Sequence, residues 1–308
     1  MTTLLLSHPD CAEHLTPPGH PERPERLAAI GEALADARFA GLKREEAPLG
    51  TTEHARLAHA PDYVEFIQAS RPERGFARLD PDTSMSPKSW DAALRAVGAA
   101  IRAVDAVIAG EADNAFCAVR PPGHHAETRR AMGFCLFNNA AIGAIHARKA
   151  HGLERVAVVE FDVHHGNGTQ EIFWSEKNLF YGSTHQMPLY PGTGAPTETG
   201  VGNIFNAPLA PGSGGEQFRD AVETVILPAL DAFRPELVIV SAGFDAHARD
   251  PLANLNLVEP DFAWVTGELV ALADKHASGR LVSTLEGGYD LQGLAGSVAA
   301  HVETLMES

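Results

Sequence analysis

The chain has 308 residues with 24 Lys and Arg against 40 Asp and Glu, which gives a formal net charge of −16 when histidines are neutral. Its composition, 44% hydrophobic and 21% charged, excludes a disordered or fibrous protein. The acidic balance argues against nucleic acid as a partner, because phosphate backbones require a basic face. No apolar run approaches the roughly 20 residues of a membrane-spanning helix, so we expect a cytoplasmic protein without membrane contact.

The first apolar run, TLLLS at 3–7, has no basic segment before it and is predicted to be a strand rather than a signal peptide. Apolar, β-branched runs predict further strands at 115–119, 155–161, 179–184, 236–241 and 280–286. Helical spacing of apolar residues predicts helices at 87–110, 134–150, 214–233, 259–277 and 291–306. Strands that are apolar throughout are typical of a sheet covered on both faces. The sequence therefore predicts one domain over 1–308, an α/β sandwich of αβα layers around a central, mostly parallel sheet.

Polar, glycine-rich segments follow four of these predicted strands. They are RPPGHHAE at 120–127, DVHHGNGTQ at 162–170, AGFDAHARDP at 242–251 and GGYDL at 287–291. Ligands of open α/β sheets bind beyond the carboxyl ends of the strands. We therefore expect the functional site where these four segments meet.

Asp162 and His164 are separated by one residue, so in extended chain their side chains point the same way. With Asp245 arriving from another strand end, they form a set of two carboxylates and one imidazole. Such a set suits Zn²⁺, or Fe²⁺, with one position left open for water or substrate. An isolated Asp-x-His pair would be better explained as a capped turn with a surface histidine. Asp245 and the neighbouring glycines together favour the metal site instead.

His124 and His125 follow a turn at Pro121, Pro122 and Gly123. One histidine, neutral near pH 7, would accept a proton from water, and a charged one would stabilise a developing anion. Histidine pairs also end helices or bond loop carbonyls, so the residues alone leave both interpretations open. Tyr289 would either donate its hydroxyl proton to an oxyanion or serve as a packing aromatic ring. Phe134 and Tyr190 would either line a narrow slot or belong to the hydrophobic core.

Taken together and in this order, the segments resemble the histone deacetylase superfamily, in particular the class II-like bacterial deacetylases and acetylpolyamine amidohydrolases. The resemblance covers essentially the whole chain. Its segments are HPERPERL at 20–27, DTSMSP at 82–87, RPPGHHA at 120–126, GFCLFNN at 133–139, FDVHHGNGTQ at 161–170, YPGTG at 190–194, AGFDAHARDPL at 242–252 and EGGYDL at 286–291.

The resemblance implies an arginase/deacetylase fold and a zinc-dependent amidohydrolase that removes acetyl or short acyl groups from acetyl-lysine or acetylpolyamines. It implies His125 as the general base, His124 as the charged stabiliser and Tyr289 as the oxyanion donor. The implied zinc ligands are Asp162, His164 and Asp245. The implied lining of the substrate tunnel is Asp82, Gly133, Phe134, Tyr190, Leu252 and Gly287.

The resemblance also implies a structural K⁺ near the zinc, held by Glu160, Asp162, His164, Ser183 and Thr184. Family members form dimers and tetramers, so a homo-oligomer is an open expectation. One position departs from the family pattern, because Glu160 stands where an aspartate usually contacts the first histidine. We expect Glu160 still to contact His124 with altered geometry, and Asn167 to lie near His125.

Two other functions remain as alternatives. The substitution at Glu160 leaves open a catalytically weak protein that binds acyl amines. An arginase-type ureohydrolase would need an aspartate at position 166, where this chain has glycine. Among substrates, the charge of −16 slightly favours a polycation over an acetylated protein.

Overall fold

The structure is a computed structural model that describes residues 1–307. Its strands, in chain order, are β1 (Thr3–Ser7), β2 (Lys43–Glu46), β3 (Ala77–Arg78), β4 (Ser84–Met85), β5 (Asn114–Cys117), β6 (Val156–Glu160), β7 (Leu179–Gln186), β8 (Ile204–Leu209), β9 (Leu237–Ala242) and β10 (Leu281–Leu285). Eight of them form one sheet in the order β2-β1-β5-β10-β9-β6-β7-β8, and all neighbours in it are parallel. Strands β3 and β4 pair antiparallel in a separate small sheet.

The helices form layers on both faces of the large sheet. They are α1 (Glu25–Ala33), α2 (Thr52–Ala55), α3 (Pro61–Ala69), α4 (Ser89–Ala109), α5 (Asn139–His151), α6 (Asn167–Phe173), α7 (Gly215–Ala221), α8 (Leu227–Phe233), α9 (Glu259–His276) and α10 (Leu291–Glu307). A π-helical turn, Val222–Ile226, joins α7 to α8. The predicted αβα sandwich with a parallel central sheet is confirmed.

Two hydrophobic cores lie on opposite faces of the sheet, and a single strand contributes to both. Leu237 and Ile239 of β9 belong to the core that contains α4 and α5. Val238 and Val240 of the same strand belong to the core that contains α9 and α10. Because successive side chains of a strand point to opposite faces, a sheet covered on both sides requires apolar residues throughout, as the sequence shows.

The structure corrects the predicted elements in three places. The helix predicted over 134–150 begins only at Asn139, because the Asn138 side chain accepts a hydrogen bond from the Ala141 amide and caps it. Residues 133 and 134 instead have positive φ and form a loop. Strands β2 and β8 lie at the two edges of the sheet and were not predicted.

Candidate active site

Four neighbouring strands, β5, β10, β9 and β6, deliver the predicted polar segments to one edge of the sheet. These strands are all parallel, so their carboxyl ends face the same side. The loops that follow them carry the tandem histidines, Tyr289, Asp245 and the Asp162–His164 pair. The predicted site residues from these four loops therefore meet at one edge of the sheet.

Asp162, His164 and Asp245 converge in a buried pocket. His164 Nδ1 lies 3.2 Å from Asp162 Oδ1 and 3.1 Å from Asp245 Oδ2. One ligand atom from each residue falls within 4.8 Å of the others. Two adjacent carboxylates buried this deeply need a compensating positive charge, so this donor set fits a divalent cation.

Backbone amides fix both carboxylates. Gly287 N–H donates to Asp162 Oδ2 at 2.8 Å, and Val163 N–H donates to Asp245 Oδ1 at 2.8 Å. Glycine is required beside them, since a Cβ on Gly243 would lie 2.0 Å from Asp162 Oδ2 and one on Gly287 would lie 2.2 Å from Asp245 Oδ2. The loops therefore hold both carboxylates through their backbone amides.

His124 is oriented by two buried glutamates. Its Nδ1 lies 2.6 Å from Glu160 Oε1. Glu286 Oε2 accepts hydrogen bonds from the backbone amides of Gly123 and His124 at 2.6 and 3.1 Å. Burial alone lowers the pKa of His124, but the charges of Asp162 and Glu160 outweigh it and raise this pKa to about 10. His124 is thus held in its charged form.

His125 is oriented by Asn167, whose Oδ1 lies 2.8 Å from His125 Nδ1. The Asn167 amide nitrogen donates to Glu127 at 2.8 Å, which turns the Asn167 oxygen toward His125. His125 Nδ1 therefore carries the proton, and its Nε2 is left as a proton acceptor. Burial lowers the pKa of His125 well below its usual value, and the charges of His124 and His164 lower it further. His125 is consequently neutral near pH 7.

The extra methylene of Glu160 is accommodated by a glycine and a tyrosine. The Tyr181 hydroxyl donates to Glu160 Oε2 at 3.1 Å and accepts from the Gly166 amide at 3.0 Å. A Cβ on Gly166 would lie 2.3 Å from Glu160 Oε2. The longer carboxylate therefore reaches His124 because residue 166 has no side chain.

Tyr289 lies beside this pocket and is anchored through its backbone, whose amide donates to Asp250 Oδ2 at 2.7 Å. The Arg26 guanidinium stacks over the Tyr289 ring at 5.0 Å, and Arg26 Nε donates to the Gly288 carbonyl at 2.6 Å. Phe134 contacts the same ring edge-to-face at 5.9 Å. These contacts fix where the Tyr289 ring lies.

The predicted lining residues occupy different depths. Gly287 and Gly133 are buried against the ligands and against His125 respectively, whereas Tyr190 is 39% exposed. The Tyr190 ring meets the His125 ring at 5.2 Å. Leu252 is half-buried in a cleft that also borders Tyr289, at a shallower level than Gly287.

Asp82 Oδ1 accepts hydrogen bonds from the Gly133 amide at 3.0 Å and from the Thr83 hydroxyl at 2.8 Å. The Thr83 hydroxyl in turn accepts from the Phe134 amide at 3.0 Å. Asp82 therefore fastens the loop that presents Phe134.

The oxygen groups predicted to hold K⁺ are buried behind the pocket. Glu160 and Ser183 are register partners on β6 and β7, and Thr184 follows on β7. The Ser183 hydroxyl lies 3.0 Å from His185 Nδ1. The five residues named for this site all lie in or directly after these two strands.

Sequence reasoning missed a buried charged network beneath the site. Glu22 Oε2 accepts from Arg120 at 2.7 Å, Glu22 Oε1 accepts from Arg26 at 3.2 Å, and all three side chains are fully buried. Glu286 was missed as well. A sequence signal for Glu286 was present, because a charged residue directly after an apolar strand is unusual unless it is paired in the interior. The charged residues within 20–27, Glu22 and Arg26 among them, were a weaker signal of the same kind.

Comparison with known proteins matches residues 20–305 to the histone deacetylase domain. A probable deacetylase of Archaeoglobus fulgidus is 40% identical over 95% of this chain and 83% of that protein. A histone deacetylase-like amidohydrolase of Pseudomonas aeruginosa is 41% identical over 88% of this chain and 73% of that protein.

Among solved structures, the crystal structure of the HDA15 HD domain covers 100% of this chain and 88% of that chain, with a TM-score of 0.95 and 35% sequence identity. None of the helices within residues 1–307 has the length and apolarity to cross a membrane. Family members are generally metal-dependent, and this chain has a buried carboxylate–imidazole group suited to a metal ion. The chain belongs to the histone deacetylase family and is a hydrolase of its deacetylase and amidohydrolase type.

Proposed function

We propose that this protein is a Zn²⁺-dependent deacetylase that hydrolyses the amide bond of acetylated or short-chain acylated amines. The observation that carries the proposal is the convergence of Asp162, His164 and Asp245 beside two histidines of opposite charge preference. Residues 1–308 form its one catalytic domain. The cytoplasmic location and the homo-oligomer remain predictions from the sequence.

Asp162, His164 and Asp245 would hold the Zn²⁺, which when bound polarises the acyl carbonyl and makes water more acidic. His125, whose Nδ1 proton is directed to Asn167, accepts a proton from the attacking water at Nε2. His124 remains charged beside Glu160 and stabilises the negative charge that develops on the acyl group. After attack, the protonated imidazole returns its proton to the departing amine nitrogen.

Tyr289 is proposed to donate its hydroxyl proton as a hydrogen bond to the acyl oxygen. Support comes from the fixed position of its ring under Arg26 and against Phe134. A donor placed before the reaction begins costs no reorganisation as charge develops. Phe134 and Tyr190 are proposed to enclose the acylated arm, with Asp82, Gly133, Leu252 and Gly287 completing the passage.

We also propose a structural K⁺ coordinated by Glu160, Asp162, His164, Ser183 and Thr184. It is supported by the adjacency of β6 and β7 and by the burial of all five residues. Potassium dependence of thermal unfolding, measured against Na⁺ at equal ionic strength, would test this site.

The substrate class is tested with acetyl-lysine peptides, acetylputrescine and acetylspermidine as a panel, comparing kcat/KM. We expect turnover that a chelator abolishes and that Zn²⁺ restores, with Fe²⁺ as the second metal assayed. The charge of −16 predicts a higher kcat/KM for acetylpolyamines than for peptides, and this preference should shrink at high salt. Binding of acyl amines without any turnover would instead support the weak binding protein, and urea release from arginine would support a ureohydrolase.

A further inference from the structure

A second group of metal-binding side chains lies on the helical layer formed by α4 and α5. Asp105 belongs to α4, whereas His146 and His151 belong to α5. Nε2 of both histidines lies 2.7 Å from the same atom, Asp105 Oδ1. The donor atoms of these three residues fall within 4.8 Å of one another. One oxygen and two nitrogens are thus directed to a single point.

This convergence does not follow from helix periodicity alone. Residues five apart on an α-helix are separated by about 140° around its axis, so they do not share a face as residues four apart do. His146 and His151 nevertheless bring their rings within 5.4 Å, centroid to centroid. They do so because Asp105 on the neighbouring helix lies between them.

The spacing of the rings suits a tetrahedral ion. With Zn–N distances of about 2.0–2.1 Å, two imidazoles on one tetrahedral ion have ring centroids on the order of 5 Å apart. The observed 5.4 Å agrees with this value. Three protein donors leave a fourth tetrahedral position, which water would occupy.

The charge and accessibility of the group also suit a cation. Burial alone raises the pKa of Asp105, but the hydrogen bonds and charges of His146 and His151 outweigh it and lower this pKa. The side chains of Asp105, His146 and His151 are 40%, 13% and 26% exposed, so an ion reaches them from solvent. In binding it, the ion would replace the imidazole protons that now point at the carboxylate.

We propose that Asp105, His146 and His151 bind a divalent transition-metal ion such as Zn²⁺, with water as the fourth ligand. The ion fastens α4 to the last turn of α5. His151 lies about 18 Å along the axis from Asn139, at the end of the 13-residue helix α5 remote from the tandem histidines. The ion therefore takes no part in the chemistry, and the proposal is independent of the proposed deacetylase activity.

The test is a Zn²⁺ titration of the metal-free full-length protein by calorimetry, with bound metal counted after dialysis. We expect two ions per chain for the wild type and one for the double variant Asp105→Asn, His151→Gln. The variant His164→Ala should also retain one ion. When Cu²⁺ is bound to this His164→Ala protein, its electron paramagnetic resonance spectrum should show coupling to two imidazole nitrogens. This two-nitrogen coupling should be lost when Asp105→Asn and His151→Gln are added.

The matched control is His276→Gln. His276 Nε2 lies 2.7 Å from Asp231 Oδ1, the same distance as in the proposed site, but no second histidine contacts this carboxylate. We expect His276→Gln to bind two ions like the wild type. The inference is overturned if the double variant, shown to be folded by circular dichroism, binds as many ions as the wild type. It is equally overturned if the wild type binds a single ion that His164→Ala loses, an outcome that leaves the proposed active site intact.

Discussion

The two groups of Asp and His side chains use the same donor types in opposite settings. In the active site, the carboxylates of Asp162 and Asp245 are buried and each accepts a hydrogen bond from a backbone amide at 2.8 Å. On the helical layer, Asp105 is 40% exposed and is held by histidine side chains. The first group is fixed by hydrogen bonds from the backbone of the sheet's loops, whereas the second is held only by hydrogen bonds between side chains.

The different settings determine what each group is able to do. A fixed constellation holds its donors at the geometry of the reaction before substrate arrives, and catalysis depends on such preorganisation. Rotatable side chains adapt to an ion but lose conformational entropy when they bind it. Substitutions in the active site should therefore act on rate, whereas those around Asp105 should act on metal content.

The largest effect is expected for His125→Ala. Removing the proton acceptor at Nε2 should lower kcat by about 10²–10⁴-fold, the usual contribution of a general base. His276→Gln, which changes a histidine outside both groups, should leave kcat unchanged. Steady-state kinetics on the best acetylated substrate provide the measurement. A loss smaller than tenfold in His125→Ala would mean that another group accepts the proton from the attacking water. The fixed position of His125 would then not determine the rate.

The next effect is expected for Tyr289→Phe, which removes one hydroxyl and preserves the ring that packs against Phe134 and Arg26. Loss of a single oxyanion donor should lower kcat by about 10²–10³-fold. Because the ring remains in place, KM should change little. A variant whose KM rises while kcat is retained would show that Tyr289 binds the substrate in its ground state, contrary to the proposed role.

A smaller effect is expected for Glu160→Asp. The shorter carboxylate would withdraw from His124 Nδ1, now 2.6 Å away, and would leave the Tyr181 hydroxyl without its partner. Changes to such supporting groups typically cost about 10–100-fold in activity. Tyr181→Phe serves as the matched control, since it removes the hydrogen bonds of the Tyr181 hydroxyl to Glu160 Oε2 and from the Gly166 amide but leaves the Glu160 carboxylate beside His124. A faster Glu160→Asp enzyme would indicate that the natural glutamate impairs the site.

The sequence was sufficient for the sheet, and it indicated which segments would meet at one edge of that sheet, because both follow from local rules. Buried strands such as Val156–Glu160 are visible as apolar runs, and the polar segments after them contain the residues of the proposed site. Strand β2 was not predicted because its residues, KREE, are mostly exposed at the edge of the sheet and form no apolar run.

Other features were out of reach because they depend on residues far apart in the chain. The role of Glu22 appears only when Arg120, 98 residues away, is folded onto it. The contact between Glu160 and Tyr181 likewise requires the pairing of β6 with β7. No sequence motif links Asp105 to His151, because the contact between them depends on the packing of α4 against α5.

The smallest effect is expected for Asp82→Ala, at the outer part of the site. Asp82 holds the Gly133 amide and the Thr83 hydroxyl, so its removal should loosen the loop that presents Phe134 rather than disturb the buried donors. Both hydrogen bonds are only part-buried, so each is expected near the lower end of the usual range, about 0.5 kcal/mol; together they would raise KM by about fivefold with kcat nearly constant. Thr83→Val is the companion variant, because it leaves Asp82 and Gly133 joined while it removes both hydrogen bonds of the Thr83 hydroxyl, to Asp82 and from the Phe134 amide. If Asp82→Ala instead lowered kcat as strongly as His125→Ala, the loop that presents Phe134 would be as important for the reaction as the buried donors, and it would have to be counted among the fixed parts of the site.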